Sequence, residues 1–96
     1  MTPIITIVTP HYNMADTLID SITSVPENEV DYIEHLVIDD CSSPKEYEKV
    51  KEICKLRKNI KLIKNRRNVG PVLTMNEGAK SALADHLIFL SADDAL

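Results

Sequence analysis

The chain has 96 residues, 44% of them apolar, and its 11 Lys and Arg against 15 Asp and Glu give a formal net charge of −4. This length and composition predict one small globular domain with a modest core and exclude a disordered chain. The acidic balance and an aromatic content of 4% argue against a nucleic-acid-binding protein, which would need clustered cations or stacking rings.

Cysteine content and hydropathy predict a cytoplasmic protein. Cys41 and Cys54 are too few for a disulfide framework and lack the spacing of a zinc site. No apolar run approaches the roughly 20 residues that span a bilayer. The N-terminus also lacks the basic and apolar regions of a signal peptide.

The chain opens with a predicted strand and helix. Residues 4–9 form a β-branched run without polar alternation, which is typical of a strand buried on both faces, and Pro10 is expected to end it. A helix is predicted over 15–25, with Asn13 as its cap. Its apolar residues recur at helical spacing and are Leu18, Ile22 and Val25.

The middle of the chain repeats this pattern. Residues 33–38 predict a second buried strand, and a helix is expected from Pro44, with Pro near its first position. The apolar face of this helix consists of Tyr47, Val50 and Cys54. Residues 60–64 alternate in polarity, which indicates a strand nearer the sheet edge.

The last predicted helix begins at Pro71, and a fourth strand covers residues 86–90. The apolar stripe predicted for this helix is Val72, Met75, Ala79 and Ala82. Alternating strands and helices predict an α/β fold with a mostly parallel, doubly wound, Rossmann-like sheet. We predict the strand order 3-2-1-4, which places a ligand site where the order reverses, between strands 1 and 4.

Three polar clusters follow predicted strands: residues 9–13, 39–43 and 91–94. In a parallel sheet they share one edge, where paired carboxylates repel unless a cation or a donor offsets them. The pairs Asp39-Asp40 and Asp93-Asp94 therefore suggest a Mg²⁺ or Mn²⁺ site that also binds a diphosphate. The alternatives are a helix cap for the first pair and a solvated tail for the second.

Other polar residues have open interpretations. Tyr12 either stacks on a base or covers the sheet rim, and His11 is expected to be an exposed loop residue. Residues 65–71 combine two arginines with a helix start and suit an anion, although a solvated turn has the same composition. Asn76 is either a partnered amide or an exposed helical residue. The dinucleotide and P-loop glycine motifs are absent.

Four motifs in order resemble the nucleotide-sugar half of the inverting GT-A glycosyltransferases of family 2, and the match covers nearly the whole chain. They are Ile-Val-Thr-Pro-His-Tyr-Asn, Val-Ile-Asp-Asp-Cys-Ser-Ser, Asn68-Val69-Gly70 with Asn76-Glu77-Gly78-Ala79, and Phe89-Leu90-Ser91-Ala92-Asp93-Asp94. The family more often has an acid where this chain has Ser91.

The resemblance implies a site for a nucleoside-diphosphate sugar, most often UDP-linked. It implies that Thr9 and Tyr12 line the base pocket and that Asp40 hydrogen-bonds the base. It also implies that Asp93 contacts the ribose and that Asp93 and Asp94 bind a divalent cation, Mn²⁺ or Mg²⁺. The nucleotide-binding candidates are Thr9, Pro10, Tyr12, Asn13, Asp39, Asp40, Arg67, Asn68, Gly70, Asn76 and Asp93.

The resemblance further implies inverting transfer to an acceptor hydroxyl, on a glycan or a lipid-linked acceptor, in glycan or polysaccharide synthesis. The catalytic base of such enzymes lies beyond the acid motif, and we expect it beyond Leu96, the last residue of the sequence. No catalytic residue is therefore predicted within residues 1–96. We expect them to be an N-terminal nucleotide-sugar-binding part without transfer activity of its own, from a protein that works at the inner face of the membrane.

Two other function classes fit parts of the sequence. A signalling receiver domain also gathers acids around Mg²⁺, but its acid pair follows the first strand, where this chain has Thr9-Pro10. A non-catalytic interaction module would use the acids only to solubilise the rim.

A helix is expected after the fourth strand, and without it the uncovered sheet flank could pair two copies into a homodimer.

Overall fold

A computed structural model describes residues 3–25 and 32–91. Its elements in chain order are β1 (Ile5–His11), α1 (Ala15–Ser24), β2 (Ile33–Asp39), α2 (Pro44–Cys54), β3 (Ile60–Lys64), α3 (Pro71–Ser81) and β4 (His86–Phe89). The strands form one parallel sheet in the order β3-β2-β1-β4. The predicted α/β class and the predicted strand order 3-2-1-4 are confirmed.

Strand β1 is longer than predicted, because Pro10 continues it. Pro10 pairs with Ile38 in register. The Leu90 amide donates to the Val8 carbonyl, so the even-numbered residues of β1 direct their backbone groups toward β4. Pairing between β1 and β4 ends at Val8 and Phe89, so no residue of β4 needs a hydrogen bond from position 10. Pro10, which has no N–H, therefore does not interrupt the sheet. The prediction that Pro10 ends the ladder is wrong for this reason.

Helices α1 and α2 cover one face of the sheet. The core they share is fully apolar apart from one thiol and comprises Ala15, Leu18, Ile22, Val37, Val50 and Cys54. The predicted apolar faces are confirmed at Leu18, Ile22, Val50 and Cys54, whereas Val25 follows α1 and packs with Ile7, and Tyr47 is half-buried outside this core. The predicted cap is wrong: Met14 holds the N-cap position of α1 without a side-chain bond, and the Asn13 carboxamide oxygen instead accepts from the Ser43 amide.

Helix α3 packs on the opposite face through its smallest residue. A Cβ atom on Gly78 would lie 2.3 Å from Val8 Cγ1 and 2.9 Å from Ile38 Cδ1. This close approach rotates the helix so that Thr74 and Gly78 are buried and Val72 is 65% exposed. The predicted stripe is therefore wrong at Val72, because the helix docks where a side chain is missing.

A buried carboxylate anchors the turn between α3 and β4. Glu34 Oε1 accepts from Thr6 Oγ1 (2.8 Å) and the Leu83 amide (2.9 Å), and Oε2 accepts from Lys61 Nζ (3.0 Å). Burial raises the pKa of Glu34, but these donors outweigh it and hold that pKa below its usual value. The carboxylate thus ties β1, β2, β3 and this turn together, at the edge of the sheet opposite the carboxyl ends of the strands.

Strand β4 is open to solvent. Leu87 and Ile88 are each 38% exposed and Phe89 is 50% exposed. Within residues 3–25 and 32–91, no helix has the length and hydropathy that crossing a bilayer requires.

The core contains one histidine that titrates far from its ordinary range. His35 is 1% exposed, and its Nε2 lies 2.7 Å from Thr9 Oγ1. Burial, with a contribution from the Arg57 charge, lowers the pKa of His35 from 6.5 to about 4.

We expect folding stability to fall as the pH drops from about 6.5 to about 4, by about 3 kcal/mol. In that window the unfolded chain binds a proton that the folded chain does not, so acid favours unfolding. Urea unfolding at a series of pH values measures the slope. The His35→Gln variant keeps a hydrogen-bond partner for Thr9 and should flatten the slope of stability against pH. The His86→Gln variant, at an exposed position, should leave that slope unchanged. An unchanged slope in His35→Gln would contradict the assignment.

Candidate functional site

A cavity of about 380 Å³ lies at the carboxyl edge of the sheet, where the strand order reverses between β1 and β4. Its walls come from the segments that follow β1, β2 and β4 and from the start of α3. The lining residues are Pro10, His11, Tyr12, Met14, Asp40, Asn68, Gly70, Pro71, Thr74 and Ser91. The fold thus brings residues from all three polar clusters to one cavity, as expected for a doubly wound sheet.

Asp40 bonds to the start of α3. Its Oδ1 accepts from the Val69 amide (2.8 Å) and Asn65 Nδ2 (3.0 Å), and its Oδ2 accepts from the Gly70 amide (2.8 Å). Gly70 caps the helix at φ +90°, a conformation that favours glycine. A carboxylate at a helix N-terminus is stabilised by the unsatisfied amides and by the helix dipole.

The anion that residues 65–71 bind is therefore the chain's own Asp40 carboxylate. The Asn68 carboxamide adds a hydrogen bond of 3.2 Å to the Asp40 carbonyl. Arg66 and Arg67 line a separate groove of about 290 Å³ beside the cavity, together with Leu73 and Glu77. The two guanidinium groups do not line the cavity itself.

His11 and Asp39 form a buried polar pair behind the cavity wall. His11 Nδ1 lies 2.8 Å from Asp39 Oδ1, and both side chains are fully buried. The Met14 amide donates to His11 Nε2 (2.9 Å), which requires the neutral ring with its proton on Nδ1. The prediction that His11 is an exposed loop residue is wrong, because β1 continues to His11 and Asp39 lies opposite it in the register.

Ser42 completes this buried network. Its hydroxyl donates to Asp39 Oδ1 (2.7 Å) and its amide to Asp39 Oδ2 (2.9 Å), while the Asn13 amide donates to the Ser42 oxygen (2.9 Å). Burial raises the pKa of Asp39, but the bonds from His11 and Ser42 outweigh it and hold the pKa below its usual value. The network joins the segments after β1 and β2 and so fixes the backbone on both sides of Tyr12.

The ten predicted nucleotide-binding residues that the structure describes divide into three groups. Those that line the cavity are Pro10, Tyr12, Asp40, Asn68 and Gly70. Those whose side chains are hydrogen-bonded within the protein are Thr9, Asn13 and Asp39. Those outside the cavity are Arg67, in the neighbouring groove, and Asn76, exposed on α3.

The C-terminal end of the sequence contains the predicted metal ligands and Leu96, beyond which the catalytic base is expected. Asp93 and Asp94 lie outside the described residues, which end at Ser91. Leu96, beyond which the catalytic base is expected, lies outside them as well. The metal assignment and the position of the base therefore stay predictions.

Five lining residues were not among the predicted site residues: His11, Met14, Pro71, Thr74 and Ser91. The position of Thr74 could have been predicted from the sequence, because it follows Pro71 by three residues and so lies on the same face of α3. Its hydroxyl donates to the Gly70 carbonyl (2.8 Å) and accepts from Asn65 Nδ2 (3.2 Å). No pattern in the sequence distinguished Met14 from other exposed loop residues.

The described residues restrict where a metal ion could bind. Asp39 and Asp40 are buried, and all four of their carboxylate oxygens accept hydrogen bonds from protein donors. Across residues 3–25 and 32–91, no three His, Cys, Asp or Glu side chains form a metal-holding group. Ser91, at the rim of the cavity, has its carbonyl bonded by the Ser21 hydroxyl at 3.0 Å. The acid pair follows it by two residues.

Sequence comparison places the chain among known proteins. The profile of glycosyl transferase family 2 matches residues 6–96. An uncharacterised glycosyltransferase of Haemophilus influenzae is 35% identical over 92 residues, which is 96% of this chain and 37% of that protein. The putative teichuronic acid biosynthesis glycosyltransferase TuaG of Bacillus subtilis is 26% identical over 96% of this chain and 36% of its own length. The chain thus spans little more than a third of these relatives.

Solved structures share the fold. S. aureus TarS 1-349 in complex with UDP-GlcNAc aligns with a TM-score of 0.80 at 24% identity, over 96% of this chain and 27% of the 1-349 chain. The mannosyltransferase PcManGT of Pyrobaculum calidifontis, in complex with GDP-Man and Mn²⁺, aligns with a TM-score of 0.75 at 20% identity, over 97% of this chain and 28% of that protein. The match of the family profile over nearly the entire sequence, on a fold of the same type, shows that this chain belongs to glycosyl transferase family 2.

Proposed function

We propose that this chain is the nucleotide-sugar-binding part of a glycosyltransferase and that its cavity binds the nucleotide of a UDP-sugar. The observation that carries the proposal is the pairing of an exposed aromatic ring, Tyr12, with a held carboxylate, Asp40, in one cavity at the switch point of the sheet. The UDP-GlcNAc and UDP complexes of TarS, which has the same fold, support this choice of nucleotide.

The chemistry of the two groups suits a pyrimidine. Tyr12 is 47% exposed and offers a flat apolar face for stacking. Asp40 Oδ1 already accepts two hydrogen bonds, whereas Oδ2 accepts one, so Oδ2 has capacity for a further donor. Uracil presents one imide N–H, and accepting it would satisfy that oxygen.

We assign the divalent cation, Mn²⁺ or Mg²⁺, to Asp93 and Asp94. The carboxylate oxygens of Asp39 and Asp40 already accept hydrogen bonds from the protein, and the fold relative PcManGT was solved with Mn²⁺; both observations support the assignment. A bound cation would offset the charge that develops on the departing diphosphate. Ser21 would contribute by holding the Ser91 carbonyl at the base of the acid motif.

The remaining parts of the proposal concern the whole protein. We propose inverting transfer to an acceptor hydroxyl, on a glycan or lipid-linked acceptor, with the catalytic base beyond Leu96 and therefore no transfer by this chain alone. The relation to TuaG, a putative teichuronic acid biosynthesis glycosyltransferase, supports a role in polysaccharide synthesis. Work at the inner face of the membrane stays a prediction. Homodimer formation through the exposed face of β4 stays a prediction.

Replacing Tyr12 by alanine should weaken UDP binding about tenfold or more, because the stacking surface is lost. Isothermal titration of UDP into the chain, with Mg²⁺ present, measures the change. Tyr32→Ala is the matched control, since Tyr32 is 45% exposed but lies before β2, at the other edge of the sheet. Equal affinities for the two variants would count against the cavity as the nucleotide site.

A further inference from the structure

The charges of this chain are unevenly distributed. Residues 55–67 contain seven of the 11 Lys and Arg and no Asp or Glu, whereas the other 83 residues contain four basic residues and all 15 acids. An acidic protein therefore carries one strongly cationic segment, which we name the basic edge. Its basic residues are Lys55, Arg57, Lys58, Lys61, Lys64, Arg66 and Arg67.

The fold places the basic edge along one side of the molecule. It consists of β3 and the segments on either side of it, and β3 is the outer strand of the sheet, opposite β4. Arg57 donates to the carbonyls of Ile22 and Val25, Lys61 pairs with the buried Glu34, and Lys55 pairs with Glu52 on the surface of α2. Apart from Arg57 and Lys61, which bond to buried groups, the five remaining side chains are exposed, namely Lys55, Lys58, Lys64, Arg66 and Arg67.

Protection of an open strand edge does not account for this density of charge. One or two lysines on an edge strand suffice to discourage pairing with another chain, and Lys61 and Lys64 already meet that need. The other cations lie in the segments that flank the strand. Lys64 places its ammonium group 4.4 Å from the centre of the Tyr47 ring, whereas Lys51, 5.8 Å from the same ring, is paired with Glu48. An external anion would account for the cations of the flanking segments.

We propose that the basic edge docks the protein on an anionic membrane surface. Its exposed cations match the headgroups of acidic phospholipids, to which juxtamembrane Lys and Arg contribute additively. Leu56, 58% exposed within the same segment, offers an apolar side chain to the interface.

A polymeric anion fits the position of the basic edge less well. The cavity is lined by residues at the ends of β1, β2 and β4 and by the start of α3, so a sugar acceptor held along β3 would lie outside it. The inference stands independently of the proposed nucleotide, because binding to vesicles involves neither the cavity nor UDP.

Co-sedimentation of the full chain with lipid vesicles tests the proposal. We expect binding to vesicles that contain about a third phosphatidylglycerol, no binding to pure phosphatidylcholine, and loss of binding at about 0.5 M salt. The triple variant Lys55→Gln, Lys64→Gln and Arg66→Gln should lower the partition coefficient about 100-fold, or about fivefold for each charge removed.

The matched control is the triple variant Lys45→Gln, Lys49→Gln and Lys80→Gln, which removes the same charge from exposed positions outside the basic edge. It should bind within about threefold of the unmodified chain. Circular dichroism checks that both variants are folded. Equal losses in the two variants, or no vesicle binding, would overturn the proposal, as would binding to heparin without binding to vesicles, which would identify a soluble polyanion instead.

Discussion

Replacing Asp39 by alanine should lower the free energy of unfolding by about 3–5 kcal/mol, the largest single loss we expect from any carboxylate of this chain. The substitution leaves three buried donors without an acceptor: the His11 ring N–H, the Ser42 hydroxyl and the Ser42 amide. Each unsatisfied donor keeps its full desolvation cost. Urea denaturation at neutral pH, followed by circular dichroism, measures the change.

Asp20→Ala is the control for this prediction, because Asp20 is an exposed carboxylate on α1 and its loss should change stability by no more than about 0.5 kcal/mol. A loss below about 1 kcal/mol in Asp39→Ala would show that the network is satisfied by water and that its bonds are not buried as described.

Replacing Gly78 by valine should cost about 3 kcal/mol or more and should push α3 away from the sheet, because overpacking of this kind forces backbone shifts. Even a Cβ atom at this position would lie 2.3 Å from Val8 Cγ1, and valine adds two further carbons. The improved helix propensity, about 0.5 kcal/mol, offsets little of the cost. Urea denaturation followed by circular dichroism measures this loss in the free energy of unfolding.

Ser81→Val places the same side chain at an exposed position of the same helix and should alter stability only slightly. The stability loss in Gly78→Ala should lie between the losses in Gly78→Val and Ser81→Val. If Gly78→Val were as stable as the unmodified chain, α3 would have to sit farther from β1 than the structure shows. The position of Gly70 and Thr74 in the cavity wall depends on that helix, so UDP affinity should fall together with stability.

The order of the strands was predictable because it follows from local patterns. The uninterrupted β-branched run before Pro10, the apolar spacing of Leu18 and Ile22, and the alternation over 60–64 each indicate one element. Chain connectivity and the preference for right-handed crossovers then leave few sheet arrangements. The edge at which the polar clusters meet follows from the same rules, since it requires only that the strands be parallel.

The partners of the polar side chains were not predictable, because they depend on register and depth. Thr9 and Pro10 are adjacent, yet the Thr9 hydroxyl is buried against His35 while Pro10 lines the cavity. A one-residue difference reverses the face of a strand. Asp39 and Asp40 likewise have separate roles: one holds the segments after β1 and β2 together, and the other caps α3.

The cavity wall is fixed before any ligand binds. Asp40, the Asn68 carboxamide and the start of α3 form one hydrogen-bonded unit, and the His11 network holds the opposite wall. Binding a nucleotide therefore requires little ordering of these segments, and such preorganisation favours affinity.

An amide NMR titration of the isotope-labelled chain with UDP, in the presence of Mg²⁺, shows directly whether the cavity binds the nucleotide. We expect shifts concentrated at Tyr12, Asn68, Gly70 and Ser91, with Tyr32 and the residues of α2 unchanged. Shifts confined to the groove of Arg66 and Arg67, or none at millimolar UDP, would contradict the assignment of the cavity as the nucleotide site.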